Sequence, residues 1–273
     1  MKSITNLTLI ITLLIVFLFS ACKQTGENTT SHEKGGKLSA EEIKKGVEKI
    51  VFPLPEPVGV YQMLEEIGAT YNSNVLNSPE SIEKYYTSYV KAVNLGVYAA
   101  DLSYATVYEK QGDVDTYARL LKKLVDDLGI KIDLKSLNNE ETREKALNLD
   151  SLINITTGVF YNTYDFLYKE SDPALAALMA NGFYIEGLYI ATHISKETFD
   201  NLEIVKIIYE QSKPLGELIK LNDKFPDNQY LQTVQGALKK LKTLYDESDG
   251  SLNKEQLDSI TSTIENIRDS LIS

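Results

Sequence analysis

Apolar side chains recur every three or four residues along most of this chain. The last segment shows the pattern most clearly, with Leu257, Ile260, Ile264, Ile267 and Leu271 in one stripe. Such spacing places apolar residues on one face of a helix, whereas a half-buried strand alternates at every second residue. No alternating stretch stands out anywhere in the sequence. We therefore predict an all-α fold.

Start and stop signals divide this pattern into helices. A capping box at Ser39 opens the first helix, and Gly68 and Gly129 are placed as C-caps. A Ser-Pro pair at 78–79 is predicted to begin the longest helix, with Tyr86 and Tyr89 packed in the core. The predicted helices span about 40–51, 57–67, 78–111, 113–128 (capped by Asp113), 140–168, 173–194, 195–222 (broken at Pro214), 227–245 (capped by Asp227) and 253–271 (capped by Asn253).

The segment from Val93 to Val107 is apolar on nearly every side, so we predict that it is the central helix. Gly96, Gly158 and Gly182 each precede an apolar and an aromatic residue, and we interpret them as close helix crossings. Their intervals of 62 and 24 residues are unequal, whereas a solenoid needs a constant period. A compact array of antiparallel helical hairpins, a helical bundle, is therefore favoured, with an α-α superhelix as the alternative.

The first 21 residues have the layout of a secretory signal, with one Lys, an apolar run and small residues before the only cysteine, Cys22. The ending Leu-Phe-Ser-Ala-Cys resembles the lipobox of bacterial lipoproteins, although Phe19 departs from the usual leucine. The resemblance implies an acylated Cys22 that anchors the chain in a lipid bilayer. The alternatives are an ordinary secretory signal and an uncleaved anchor. The predicted organisation is a signal peptide at 1–21, the lipidated cysteine and a flexible tether at 22–38, and a single all-helical domain at 39–273.

Three further motifs bear on the origin and location of the chain: residues 95–105, with Asp127-Leu128-Gly129 and Glu186-Gly187-Leu188-Tyr189 downstream. Together they resemble uncharacterised all-helical lipoproteins of Bacteroidota, over most of residues 55–245. The resemblance implies no activity and no site other than Cys22. The tether lacks the clustered acidic residues associated with surface export in that group. We therefore expect an outer-membrane lipoprotein that faces the periplasm.

Composition excludes several classes of function. Once Cys22 is acylated, no thiol remains for disulfides, metal thiolates or a cysteine nucleophile. The net charge of −11 opposes binding to nucleic acid. His32 and His193 have no second histidine at ligand spacing, and no phosphate-binding loop or serine-nucleophile motif is present, so no metal or cofactor is predicted. After the leader, no segment is predicted to span a membrane.

Three strongly apolar helices each carry a carboxylate among tyrosines, and a buried carboxylate needs a partner. We call each helix face that carries one of these carboxylates a stripe. One hypothesis is that the three stripes converge on a cleft for a polyhydroxylated or cationic small molecule. The other is structural: tyrosine hydroxyls, Asn94 or Asn162 satisfy the acids, or the acids reach solvent. A glycosidase pair is a remote third reading. The candidate cleft residues are Tyr98, Asp101, Tyr108, Tyr161, Asp165, Tyr168, Glu186 and Tyr189.

These features predict a membrane-anchored envelope lipoprotein that acts as a non-catalytic binding or structural module. The alternatives are a solute- or glycan-binding lipoprotein with a Tyr/carboxylate cleft, a protein-interaction scaffold, and, more remotely, a glycoside hydrolase. The expected partners are the bilayer, through Cys22, and an envelope protein or a small polar ligand.

Overall fold

The computed structural model describes residues 58–132, 134, 149–194 and 198–272. This part of the chain holds nine α-helices, three short 3-10 helices and no strand, which confirms the all-α prediction. The leader, Cys22, the tether and the helix predicted at about 40–51 lie outside the described residues. The α-helices are α1 (Gly59–Glu66), α2 (Ser88–Val107), α3 (Gln111–Asp127), α4 (Leu149–Glu170), α5 (Pro173–His193), α6 (Leu202–Glu210), α7 (Ser212–Asn222), α8 (Gln229–Asp246) and α9 (Lys254–Ile272). The 3-10 helices are Ser73–Val75, Pro79–Lys84 and Thr198–Asp200.

Several helix boundaries follow the capping signals in the sequence. Asp172 accepts a backbone N–H of the first turn of α5 (2.9 Å). Asn253 and Gln256 exchange hydrogen bonds of 3.0 and 2.9 Å at the start of α9. Gly68 and Gly129 adopt positive φ angles of 80° and 69° after α1 and α3. Short polar side chains satisfy the free N–H groups of a first turn, and glycine adopts the left-handed conformation without a Cβ clash, so these boundaries were predictable.

The helix predicted at 78–111 is wrong in its first part. Residues Pro79–Lys84 form a separate 3-10 helix, and α2 begins only after a break in the chain. The break shifts the helical phase, so Tyr85 is buried while Tyr86 is 84% exposed and Tyr89 is 39% exposed. The core positions predicted for Tyr86 and Tyr89 are therefore wrong, because they assumed one uninterrupted helix.

Other boundaries differ by a few residues, and helix α6 begins at Leu202 rather than at the predicted 195. The break predicted at Pro214 falls at Gln211, between α6 and α7, and Pro214 lies in the first turn of α7. A proline in a first turn sacrifices no helical hydrogen bond, so it does not break the helix there. The cap predicted at Asp227 is Asn228, which accepts a hydrogen bond from the first turn of α8 (3.1 Å). Helix α3 starts at Gln111 without a side-chain cap, and Asp113 lies in its first turn.

Helices α2 and α5 make the most extensive helix contact in the described fold. A Cβ atom on Gly96 would lie 1.9 Å from the backbone oxygen of Met179, and one on Gly182 would lie 2.0 Å from that of Val93. No other residue fits at these positions, because the two backbones touch there. The predicted close crossing is confirmed for Gly96 and Gly182.

These two helices form the centre of the protein. Every residue from Ala92 to Val107 is buried, as predicted for the central helix. Among the described helices, α5 alone has the length and mean hydropathy (1.3) of a membrane span, which corrects the expectation that no segment would. However, 89% of its apolar window is buried inside the protein. This composition therefore suits the core helix of a bundle.

The remaining helices cover this centre. The connections 108–110 and 171–172 join α2 to α3 and α4 to α5, so each pair forms a hairpin. Helix α9 packs on both α5 and α2. One hydrophobic core extends from Val58 to Leu271. The described part of the chain is thus a compact helical bundle, as favoured over a superhelix.

Candidate functional site

Two of the three predicted carboxylates meet in the core. Asp101 lies on α2 and Glu186 on α5, and both side chains have no exposed surface. They meet because α2 and α5 lie side by side. Both helices are strongly apolar, and most of the residues around the two acids belong to the hydrophobic core. Partners must therefore come from neighbouring elements.

Arg268 of α9 is the partner of Glu186. Its Nε donates to Glu186 Oε2 at 2.6 Å, and its Nη2 donates to Oε1 at 2.9 Å. This two-point geometry is the strongest arrangement of an arginine and a carboxylate. The guanidinium also lies over the ring of Tyr189, 4.0 Å from its centroid. We call Asp101, Glu186 and Arg268 the carboxyl cluster.

Asp101 lies beside this ion pair with little compensation of its own. Its Oδ2 accepts the backbone N–H of Asn77 at 3.3 Å, while its Oδ1 is buried without a partner in standard hydrogen-bond geometry. Burial raises the pKa of Asp101 well above its usual range, the charge of Glu186 raises it further, and Arg268 opposes these effects. Burial also raises the pKa of Glu186, against the pull of Arg268. The single arginine balances one carboxylate, so the environment favours the protonated form of Asp101, which can donate towards Glu186.

Tyrosines fix the segment that contacts Asp101. Tyr117 Oη donates to the backbone oxygen of Asn77 at 2.7 Å. Tyr98 Oη donates to the backbone oxygen of Ser78 at 3.2 Å. Asn77 Nδ2 in turn donates to Tyr85 Oη at 3.2 Å. Tyr98, one of the predicted site residues, therefore holds the chain segment that donates to Asp101.

Tyr189 connects the carboxyl cluster with the surface. Its ring stacks on His193, with 4.1 Å between centroids. The histidine Nδ1 lies 2.8 Å from the backbone oxygen of Tyr189, and Nε2 lies 2.8 Å from Glu265 Oε1. His193 is thus satisfied by neighbours. In the described part of the chain, no group of three or more His, Cys, Asp or Glu side chains could hold a metal ion.

The third predicted stripe does not join the other two. Asp165 lies on α4 with its side chain 34% exposed, and it pairs with Lys169 at 2.7 Å. Tyr161 packs edge-on against Phe160, with 5.6 Å between ring centroids. Tyr168 stacks on Tyr164 at 6.1 Å. The three stripes therefore do not converge on one cleft.

Tyr108, the last predicted residue, lines a separate feature at the surface. An open recess of about 470 Å³ lies where α1 and α2 end. Tyr71 stacks on Tyr104 with 4.8 Å between centroids, and it lies 5.6 Å from the ring of Tyr108. Tyr71 Oη donates to Asp113 Oδ2 at 2.7 Å. We call this feature the tyrosine recess; its lining residues are Glu65, Gly68, Ala69, Thr70, Tyr71, Tyr108 and Lys110.

The chemistry open to the two features differs. The carboxyl cluster resembles a catalytic acid pair only in composition, because a substrate would have to displace Arg268 and enter the core to reach it. The tyrosine recess is open and combines aromatic rings with one acid and one base, which suits reversible binding of a small molecule.

Sequence reasoning missed Arg268. The chain has only three arginines, against 25 lysines, and Arg268 lies next to the apolar stripe of α9. Arginine is preferred for buried ion pairs, so an arginine at the edge of a core stripe was a usable signal.

The sequence analysis also missed a reciprocal amide pair between α5 and α7, in which Asn181 and Asn222 exchange hydrogen bonds of 2.8 and 2.9 Å. No local sequence pattern predicts such a pair.

Comparisons with known protein families, curated proteins and solved structures find no match to this chain. The resemblance to lipoproteins of Bacteroidota therefore stays a prediction.

Proposed function

We propose that this protein is a lipid-anchored lipoprotein of the bacterial outer membrane, facing the periplasm, that binds a small polar ligand without transforming it. The observation that carries the binding part of the proposal is the open tyrosine recess. The non-catalytic part is supported by the complete burial of Asp101 and Glu186, with Glu186 paired to Arg268. The two predicted acids that lie together are thus part of the protein core and not of an open site. The open tyrosine recess offers a binding surface instead.

The scaffold alternative needs a continuous apolar surface. Among the described residues, the exposed large apolar side chains are Tyr86, Tyr89 and Leu202. A small ligand in a defined recess is therefore better supported than a broad protein interface.

The non-catalytic part of the proposal is tested with Asp101→Asn, which keeps the shape of the side chain. We expect wild type and variant alike to hydrolyse glycans from the envelope no faster than the uncatalysed background. Hydrolysis by the wild type that Asp101→Asn abolishes would establish a glycosidase and overturn the proposal.

The anchor is tested separately by fractionation of cells. Cys22→Ser removes the acylation site, and we expect the protein to leave the membrane fraction. Phe19→Leu is the matched control, because it brings the leader closer to the usual lipobox and should leave the protein in the membrane. Retention of the Cys22→Ser protein would contradict lipid anchoring.

A further inference from the structure

The tyrosine recess has features that the bundle itself does not require. Helix α2 ends at Val107, and Glu109, two residues further on, has a φ of 54°, the one positive value at a non-glycine residue in the described chain. The equivalent positions after α1 and α3 are Gly68 and Gly129. A residue with a Cβ is strained in this conformation, and such strain concentrates at functional sites.

The turn at Glu109 places its two neighbours in the recess. Lys110 N–H bonds to the backbone oxygen of Ala105 at 2.9 Å, and Glu109 N–H bonds to that of Thr106 at 3.0 Å, which closes the end of α2. Tyr108 and Lys110 then both line the recess. The strained residue is therefore the one that brings an aromatic ring and an ammonium group to the same surface.

The aromatic lining is held rigidly from behind. Tyr104 is buried and stacks on one face of Tyr71, with an interplanar angle of 22°. Tyr71 also lines the recess, where the Lys110 ammonium lies 5.4 Å from its ring centroid. Lys110 is exposed, so its flexible side chain can move aside. A flat apolar face is thus available to a ligand with little further loss of side-chain conformational entropy.

The polar groups at the rim are mixed in sign. Glu65 supplies hydrogen-bond acceptors and Lys110 supplies donors, and both side chains are exposed. The hydroxyl of Tyr108 is buried and has no hydrogen-bond partner. A ligand oxygen that reaches this hydroxyl would give it a partner, and the cost of an unsatisfied buried polar atom would be removed.

The charges select among ligand classes. A cationic ligand would be repelled by the Lys110 ammonium beside Tyr71, and an anionic ligand would be repelled by Glu65 and by a protein of net charge −11. A neutral ligand with one apolar face and several hydroxyls avoids both conflicts. The volume of about 470 Å³ lies within the usual range of small-molecule sites, roughly 300–1,000 Å³.

We propose that the tyrosine recess binds a neutral saccharide, with a sugar ring against Tyr71 and Tyr108 and its hydroxyls on Glu65 and Lys110. This inference rests on the proposed binding function and adds the site and the ligand class.

The test is titration of the full chain carrying Cys22→Ser with maltose, cellobiose and chitobiose, with choline as the cationic probe. Amide NMR signals report the position of binding. We expect at least one disaccharide to shift the signals of residues 68–71. Tyr71→Ala should weaken that binding about tenfold or more, a loss of about 1.4 kcal/mol. Tyr89→Ala is the matched control, because Tyr89 is an exposed tyrosine in the Tyr89–Tyr230 pair outside the recess, and it should leave binding unchanged.

If Tyr71→Ala does not fold, the exposed rim provides Glu65→Gln and Lys110→Ala, each of which should weaken binding severalfold. Three results would overturn the inference: no shift with any disaccharide, shifts with choline alone, or disaccharide binding that the recess variants leave unchanged. None of these would affect the non-catalytic proposal, which fails separately if the NMR spectra show hydrolysis of the disaccharide.

Discussion

Glu186 and Arg268 join the central helix α5 to the last helix α9 through two hydrogen bonds, of 2.6 and 2.9 Å. The carboxylate is fully buried, and the arginine side chain is 13% exposed. This contact links residues 82 positions apart. A charge in the core is tolerated only with such a partner, so the contact also aligns α9 on the centre of the bundle.

Glu186→Gln is expected to destabilise the protein by about 3 kcal/mol or more, because it leaves the Arg268 guanidinium without its counter-charge in a largely buried place. Urea unfolding at pH 7 measures the loss. Glu210→Gln is the matched control, since Glu210 is exposed on α6 and forms only a distant pair with Lys206, at 3.9 Å. The control should change the free energy of unfolding by less than about 0.5 kcal/mol. Equal effects of the two variants would show that the ion pair contributes nothing particular to the fold.

Gly96→Ala should destabilise the bundle by about 3 kcal/mol or more, since the new Cβ would lie 1.9 Å from the backbone of α5 and the helices must move apart. Gly236→Ala is the natural comparison, because nothing lies within 4 Å of the Cβ position there. In the interior of α8 this change should stabilise by about 0.5 to 1 kcal/mol. The two substitutions, compared by urea unfolding, should have opposite signs. A neutral Gly96→Ala would mean that α2 and α5 do not touch.

Glu109→Gly should stabilise the protein by about 0.5 to 1 kcal/mol, because glycine adopts a positive φ without the strain that a Cβ brings. The greater freedom of glycine in the unfolded chain reduces the gain. Gly129→Ala makes the reverse change at φ 69° and should cost about 1 kcal/mol. Thermal unfolding compares both with wild type. A loss of stability in Glu109→Gly would contradict a strained conformation at this residue.

The sequence was informative about helices and about the centre of the fold. The strict spacing from Leu257 to Leu271 and the caps at Asp172 and Asn253 are local signals, and local structure follows them closely. The prediction failed where the choice was not local. Residues 78–87 have helical spacing, but a 3-10 helix and a cap at Thr87 replace the first turns, because Tyr85 can then reach the core.

The site was predictable only in part. Isolated acids on apolar helices marked Asp101 and Glu186 as residues that need partners, and both are buried together. Asp165 carried the same signal but lies at the edge of α4, where Lys169 satisfies it. Helical phase alone does not show which side of a helix the neighbours leave open. Likewise, the tyrosine recess depends on two helix ends that approach in space, which no spacing in the sequence encodes.

Asp101 should be protonated in the native core, where the carboxyl cluster has a structural role. Unfolding of wild type and Asp101→Asn, measured in urea from pH 4 to pH 8, tests this protonation state. The raised pKa of Asp101 in the native protein stabilises wild type. This contribution is complete at pH values below the unfolded-state pKa of about 3.9, and it is lost as the pH rises towards the native pKa. The asparagine of the variant keeps an acceptor for the N–H of Asn77 and a donor towards Glu186. Because it does not titrate, the variant does not lose this stability as the pH rises. The free energy of unfolding of the variant should therefore rise relative to that of wild type by up to about 1.4 kcal/mol for each pH unit. A difference that stays constant over this range would show instead that Asp101 is ionised in the folded protein.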